Sequence, residues 1–119
     1  MRTNEELMDA FACAWSGQNL DEIVGLFKED GVFFASSRYG SRSRACGHEE
    51  IRHLTKSMFK TDDGAVLEPS DRMLFEGGAF CRWRYVLPNG SIELGCDFFQ
   101  IENGLVALKD AYRKIGSVA

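Results

Sequence analysis

The chain has 119 residues, 45% hydrophobic and 27% charged, which is enough for one domain (residues 1–119) with a buried core. Fourteen basic residues against eighteen acidic ones leave a net charge of −4, so the electrostatic footprint of a nucleic-acid binder is missing. No apolar run approaches the ~20 residues of a membrane span. The opening "MRTNEELMDAF" is acidic and amphipathic, unlike a secretory signal. The four cysteines, Cys13, Cys46, Cys81 and Cys96, lack CxxC or zinc-finger spacing, and are expected as free thiols in a cytoplasmic protein. His48 and His53 lie five apart and miss the i,i+4 spacing of a helical metal pair, so neither a metal nor a cofactor is expected.

A capping box at Thr3–Glu6 opens a first helix whose apolar stripe is Leu7, Met8, Phe11, Ala12 and Trp15, ending at Gly17. Asn19 and Glu22 repeat the capping logic for a second helix that buries Leu20, Ile23, Val24 and Phe27 and stops at Asp30-Gly31. "VFFAS" reads as a first strand. A polar loop over 37–46 carries Arg38, Arg42 and Arg44, and Arg38 and Tyr39 in it could gate a nearby opening. A third helix spans about 47–59, with Ile51, Leu54 and Met58 inward and His53 on the surface. The pattern then turns extended, with strands over roughly 65–75, 79–87, 91–102 and 105–113. Helices followed by a run of antiparallel strands make an α+β domain with helices on one face of a curved sheet.

Two Asn-Gly pairs, Asn89-Gly90 and Asn103-Gly104, mark hairpins, and two-residue turns at both fix a register. Phe80 then faces Phe99, Arg82 faces Asp97, and Arg84 faces Gly95. On the other side Asp97 faces Asp110, Phe99 faces Leu108, and Gly95 faces Tyr112. This register places Arg82, Asp97 and Asp110 in one row. Opposed carboxylates repel, and the pair survives if an arginine neutralises it, one acid keeps a proton, or a ligand sits between them. Gly95 would leave room beside the row. Two alternatives stay open. The opposite face, with Trp83, Tyr85, Leu94, Cys96 and Phe98, is more apolar and could itself be the core, leaving the row as exposed ions worth little. A bulged three-residue turn over Glu102–Gly104 would instead pair Asp97 with Lys109.

"AWSGQNLDEIVGLFKEDGVF", the G-x-E-x-I helix start at Gly47, Glu49 and Ile51, and "GCDFFQIENGLVALKDAYRK" resemble, in that order, the nuclear transport factor 2-like superfamily, in particular its SnoaL-like small-molecule branch. The resemblance implies a cone: helices closing one end of a strongly bent, antiparallel or mixed sheet around an internal cavity. It implies that Asp97, Phe99, Leu108, Asp110 and Tyr112 point into the cavity. It also implies a homodimer through the outer face, with Trp83, Tyr85, Leu94, Cys96 and Phe98 toward the partner. The segment Asp97–Phe99 resembles the stretch of ketosteroid isomerases whose protonated aspartic acid helps form an oxyanion hole. The isomerase base would fall at Ala35 or Ser36 and its tyrosine at Phe11, so steroid isomerisation is not implied. The limonene epoxide hydrolase branch shares only the composition of Arg82, Asp97 and Asp110, because its last-strand aspartate falls nearest Lys114.

Three functions are compatible with these residues. The first is a lyase, isomerase or cyclase for an apolar carbonyl compound, with Asp97 or Asp110 as acid/base, Tyr112 donating to the oxyanion and Arg82 as charge partner. Its apolar walls would be Trp15, Phe27, Phe34, Phe99 and Leu108. The second is a non-catalytic dimeric carrier or sensor for a hydrophobic small molecule. In the third, the row is an internal ion cluster and the cavity is filled by side chains.

Overall fold

The computed structural model describes residues 1–37 and 40–114, so the gate expected of Arg38 and Tyr39 lies outside the described residues. Helix α1 (Asn4–Ser16) starts where the capping box places it: Thr3 Oγ1 accepts from the Glu6 N–H, and the Glu6 carboxylate accepts from the Thr3 N–H. Helix α2 (Leu20–Gly25) is capped by Asn19, whose Oδ1 accepts from the Glu22 N–H. It ends earlier than its hydrophobic pattern suggests, because Phe27 is already in strand β1 (Phe27–Ser36), paired with Val106. Asp30-Gly31 therefore does not terminate a helix; it lies where the register of β1 shifts between Phe27 and Val32.

The expected loop over 37–46 is largely a strand, β2 (Arg42–Cys46), antiparallel to β1. Its side chains are exposed except Ala45, and the two arginines suit an edge that must not pair with a neighbouring molecule. Helix α3 (His48–Thr61) follows, then β3 (Val66–Phe75), β4 (Gly78–Val86), β5 (Ile92–Glu102) and β6 (Leu105–Arg113). The sheet order is β2-β1-β6-β5-β4-β3, and only the β1/β6 pair is parallel. This is the α+β arrangement expected: helices packed against one face of a six-stranded mixed sheet. Leu7, Phe11 and Trp15 of α1 and Ile23 of α2 pack with Phe27, Phe33, Phe99 and Val106 of the sheet. Among the described residues no helix is long and apolar enough to cross a membrane.

Both hairpin registers differ from expectation, each by one residue. At Asn89-Gly90 the loop has three residues, Pro88–Gly90. The Leu87 N–H donates to the Ser91 carbonyl (2.9 Å), the Gly90 N–H donates to the Leu87 carbonyl (2.8 Å), and Gly90 has φ +85°. A two-residue turn would need Pro88 to donate a ladder bond it does not have, so the chain takes a turn started by proline and closed by a left-handed glycine. Arg82 thus pairs with Cys96, and Trp83 with Gly95. At Asn103-Gly104 the turn does have two residues, and Ile101 pairs with Val106 as expected. A bulge then leaves Ala107 without a partner, so Gln100 meets Leu108, Phe99 meets Lys109, and Asp97 meets Ala111. Because strand side chains alternate, these single slips exchange the faces of whole segments.

Candidate active site

The concave face now carries Ala79, Cys81, Trp83 and Tyr85 from β4, Gly95, Asp97 and Phe99 from β5, and Lys109, Ala111 and Arg113 from β6. Together with α1 and β3 it encloses a cavity of about 250 Å³ whose walls include Met8, Phe11, Trp15, Met58, Leu67 and Phe99. Trp83 lies flat over Gly95: a Cβ there would sit 2.3 Å from the indole ring. The room that Gly95 provides is therefore used by an aromatic wall.

Two charged groups sit in this apolar wall. Lys109 Nζ donates to Asp97 Oδ1 at 3.4 Å, and the two side chains are 4% and 13% exposed. The ammonium lies 4.4 Å from the ring centre of Trp15 and 4.3 Å from that of Phe33, with Phe11 and Phe99 at about 6 Å. Burial lowers the Lys109 pKa, and the neighbouring Asp97 carboxylate opposes that shift without reversing it. Beside them the Cys81 thiol is raised, first by burial and then by the Asp97 charge.

A second buried cluster borders the cavity through Tyr85 and Arg113. Arg113 donates through Nη1 to Asp62 Oδ2 (3.0 Å) and through Nη2 to Glu93 Oε1 (2.6 Å), and its guanidinium lies 4.7 Å above Tyr85. Tyr85 Oη accepts from Trp15 Nε1 at 3.2 Å, and burial pushes its pKa up to about 12.

Of the expected catalytic group, Asp97 and Arg82 border the cavity, but only Asp97 is buried in its wall. Arg82 is exposed on the other face and pairs with Asp71; Asp110 and Tyr112 are also on that convex face, where the Tyr112 hydroxyl donates to Asp110 Oδ2 at 2.9 Å and Arg42 stands 3.5 Å from Oδ1. The row of Arg82, Asp97 and Asp110 therefore does not exist, because the two register slips separate its members. Of the expected walls, Trp15 and Phe99 line the cavity. Phe27 is buried in the core beneath it. Leu108 and Phe34 belong to the convex face, with Arg42 4.8 Å from the Phe34 ring centre. Among the five residues assigned to a partner-facing surface, Leu94, Cys96 and Phe98 are on the convex face, whereas Trp83 and Tyr85 line the cavity. Lys109, Arg113, Tyr85 and Trp83 escaped the sequence reading as site residues. Pro88 could have signalled the slip that brings in Trp83 and Tyr85. The run "LVALKDAYR" has no alternation that would reveal the bulge at Ala107. Among the described residues no group of three or more His, Cys, Asp or Glu side chains could hold a metal ion.

A family model for the SnoaL-like domain matches residues 8–109. The chain belongs to the SnoaL-like family. No curated protein matches it in sequence. Solved structures with the same fold include an NTF2-like protein of unknown function from Mesorhizobium loti (19% identity, TM-score 0.79, covering 93% of this chain and 90% of that one). A candidate polyketide cyclase from Sinorhizobium meliloti is 20% identical at TM-score 0.76, covering 89% of this chain and 93% of that one. A candidate ketosteroid isomerase from Kribbella flavida is 15% identical at TM-score 0.74, covering 92% of this chain and 76% of that one. For the SnoaL-like chain described here, these likenesses establish the cone fold.

Proposed function

We propose that this SnoaL-like protein is an isomerase or cyclase acting on a small apolar carbonyl compound, with Asp97 moving a proton at the carbon beside the carbonyl. The observation that carries this reading is a carboxylate and an amine, both nearly sealed from water, in contact in the wall of an otherwise apolar cavity. Charged side chains are rarely buried for packing alone, and perturbed groups in a cleft mark candidate sites. The cavity volume of about 250 Å³ falls below the ~300–1,000 Å³ of pockets for drug-sized ligands, which suits a compact substrate. The family and its cyclase- and isomerase-like structural neighbours support the same broad class.

In this reading Asp97 takes the proton and returns it at another carbon, work worth about 10²–10⁴ in rate. Lys109 supplies positive charge next to the developing enolate, where the dry wall strengthens it. The resemblance would put the ketosteroid isomerase base at Ala35 or Ser36 and its tyrosine at Phe11, neither able to do that work, and in this reading Asp97 is the proton carrier rather than an oxyanion donor. Small ketones incubated with the protein in heavy water provide the test. Nuclear magnetic resonance should show protein-dependent deuterium uptake at the α-carbon, falling about 100-fold in Asp97→Asn. Equal exchange by both proteins would overturn the assignment. Ketones that raise the melting temperature without exchanging would establish the carrier function instead.

A further inference from the structure

Lys109 is the one lysine of five whose side chain is buried in the protein: Lys28 is 29% exposed at its side chain, and Lys56, Lys60 and Lys114 are exposed. An ammonium has three N–H donors to satisfy. Among the described residues Lys109 Nζ has one acceptor, Asp97 Oδ1, at 3.4 Å, longer than the ~2.7–2.9 Å of a good charge-assisted bond. Its other close neighbours are the ring faces of Trp15 and Phe33. This is a poor seat for a permanently charged structural lysine, and a suitable one for an amine that must meet an electrophile inside a cavity.

We propose that Lys109 is a covalent site: its Nζ adds to the carbonyl carbon of a small aldehyde or ketone in the cavity and forms an iminium, with Asp97 carrying the protons. Starting from the neutral amine and the Asp97 acid, the nitrogen lone pair forms the C–N bond as the carbonyl π pair moves to oxygen. Asp97 delivers its proton to that oxygen and then takes one from nitrogen, leaving a neutral carbinolamine. The same proton passes from Asp97 to the hydroxyl, which leaves as water while the nitrogen lone pair makes the C=N bond. The products are iminium, carboxylate and one water. The iminium acidifies the adjacent C–H, which Asp97 removes to give an enamine, so the favoured substrate bears a hydrogen on its α-carbon. Burial lowers the Lys109 pKa and enlarges the amine fraction, and the neighbouring Asp97 carboxylate opposes this without reversing it.

This inference rests on the cavity reading above and adds to it the covalent bond. The test uses the intact protein with acetone, cyclohexanone and benzaldehyde as separate probes, each with sodium cyanoborohydride. Peptide mass mapping locates the reduced adduct. The expected result is a reductive adduct on Lys109 at least 10-fold above the level on exposed Lys56, Lys60 and Lys114, blocked in Lys109→Arg and slowed in Asp97→Asn. The mapping of the wild-type protein is decisive even if a variant fails to fold. Adducts confined to exposed lysines would overturn the proposal. If deuterium exchange still depended on Asp97 in that case, the acid–base reading would stand alone. If no probe exchanged or raised the melting temperature either, both would fall.

Discussion

Two buried charge clusters share the concave face of β6, separated by Ala111, and they are built on opposite principles. Arg113 is a planar fork between Asp62, at the end of α3, and Glu93 on β5, with both contacts short and a tyrosine ring beneath it. It ties a helix end to two strands through two charge-assisted bonds, and only its Nε is left without a partner among the described residues. Lys109 holds one long bond and otherwise faces aromatic rings and the cavity. The difference separates a charge retained to hold the fold from a charge left available for chemistry. Burial alone does not distinguish them; the number and length of their carboxylate contacts do.

The sharpest break in that contrast would come from Arg113→Met, which removes the guanidinium from between two buried carboxylates. A loss of about 3–5 kcal/mol is expected in urea unfolding. A loss under about 1 kcal/mol would mean that the cluster is not a clamp. Gly95→Ala acts on the wall between the clusters, where the new methyl collides with Trp83 and pushes the indole toward the cavity. It should cost about 1–3 kcal/mol and weaken any ligand-induced rise in melting temperature. Unchanged ligand response would show that Trp83 does not shape the cavity.

A smaller effect concerns pH. Lys109 loses its proton more readily folded than unfolded, where lysine titrates near 10.4. Between those two pKa values the unfolded chain binds more protons, so stability from this group rises with pH through the alkaline window. The wild type should therefore gain on Lys109→Met as pH increases from neutrality toward about 9.5 in paired urea titrations. Staying below the ordinary tyrosine pKa of about 10 keeps Tyr85, whose raised pKa acts in the opposite sense, out of the difference. A flat difference would show Lys109 titrating as an ordinary surface amine. The smallest effect belongs to the convex face: Asp110→Asn should alter stability by about 0.5 kcal/mol or less and leave deuterium exchange unchanged. A large loss of exchange would return Asp110 to the site.

What could be read in the sequence was whatever local chemistry decides. Thr3 and Asn19 start their helices where a side-chain oxygen meets a free amide, and Asn103-Gly104 makes the expected two-residue turn. Family resemblance supplied the cone. The side-chain inventory of the cavity was harder, because it depends on parity along three strands. Pro88 and the unpaired Ala107 each move a strand by one residue, which turned Trp83 and Tyr85 inward and Asp110 and Tyr112 outward. Asp97 was found on the correct face because β5 keeps its orientation against the helices. Lys109 entered the sequence reading only as the partner of Asp97 under a bulged turn, not as a site residue, because it lies between Leu108 and Asp110 in a segment whose two faces look alike in sequence.

The unpaired residue at position 107 makes this cavity unusually easy to rewrite. Drawing Ala107 into the ladder, so that it pairs with Gln100, would move every later residue of β6 by one position and bring Leu108, Asp110 and Tyr112 inward, while turning Lys109 and Arg113 out; deleting Ala107 would leave all of these faces as they are. An amine-bearing pocket would become a carboxylate-and-phenol pocket without one amino-acid replacement. The Arg113 clamp would be lost in the same step, so a lineage making that exchange would first have to secure α3 by other means. Within such a fold, a one-residue change of register in the last strand can shift chemistry further than any point mutation at the site.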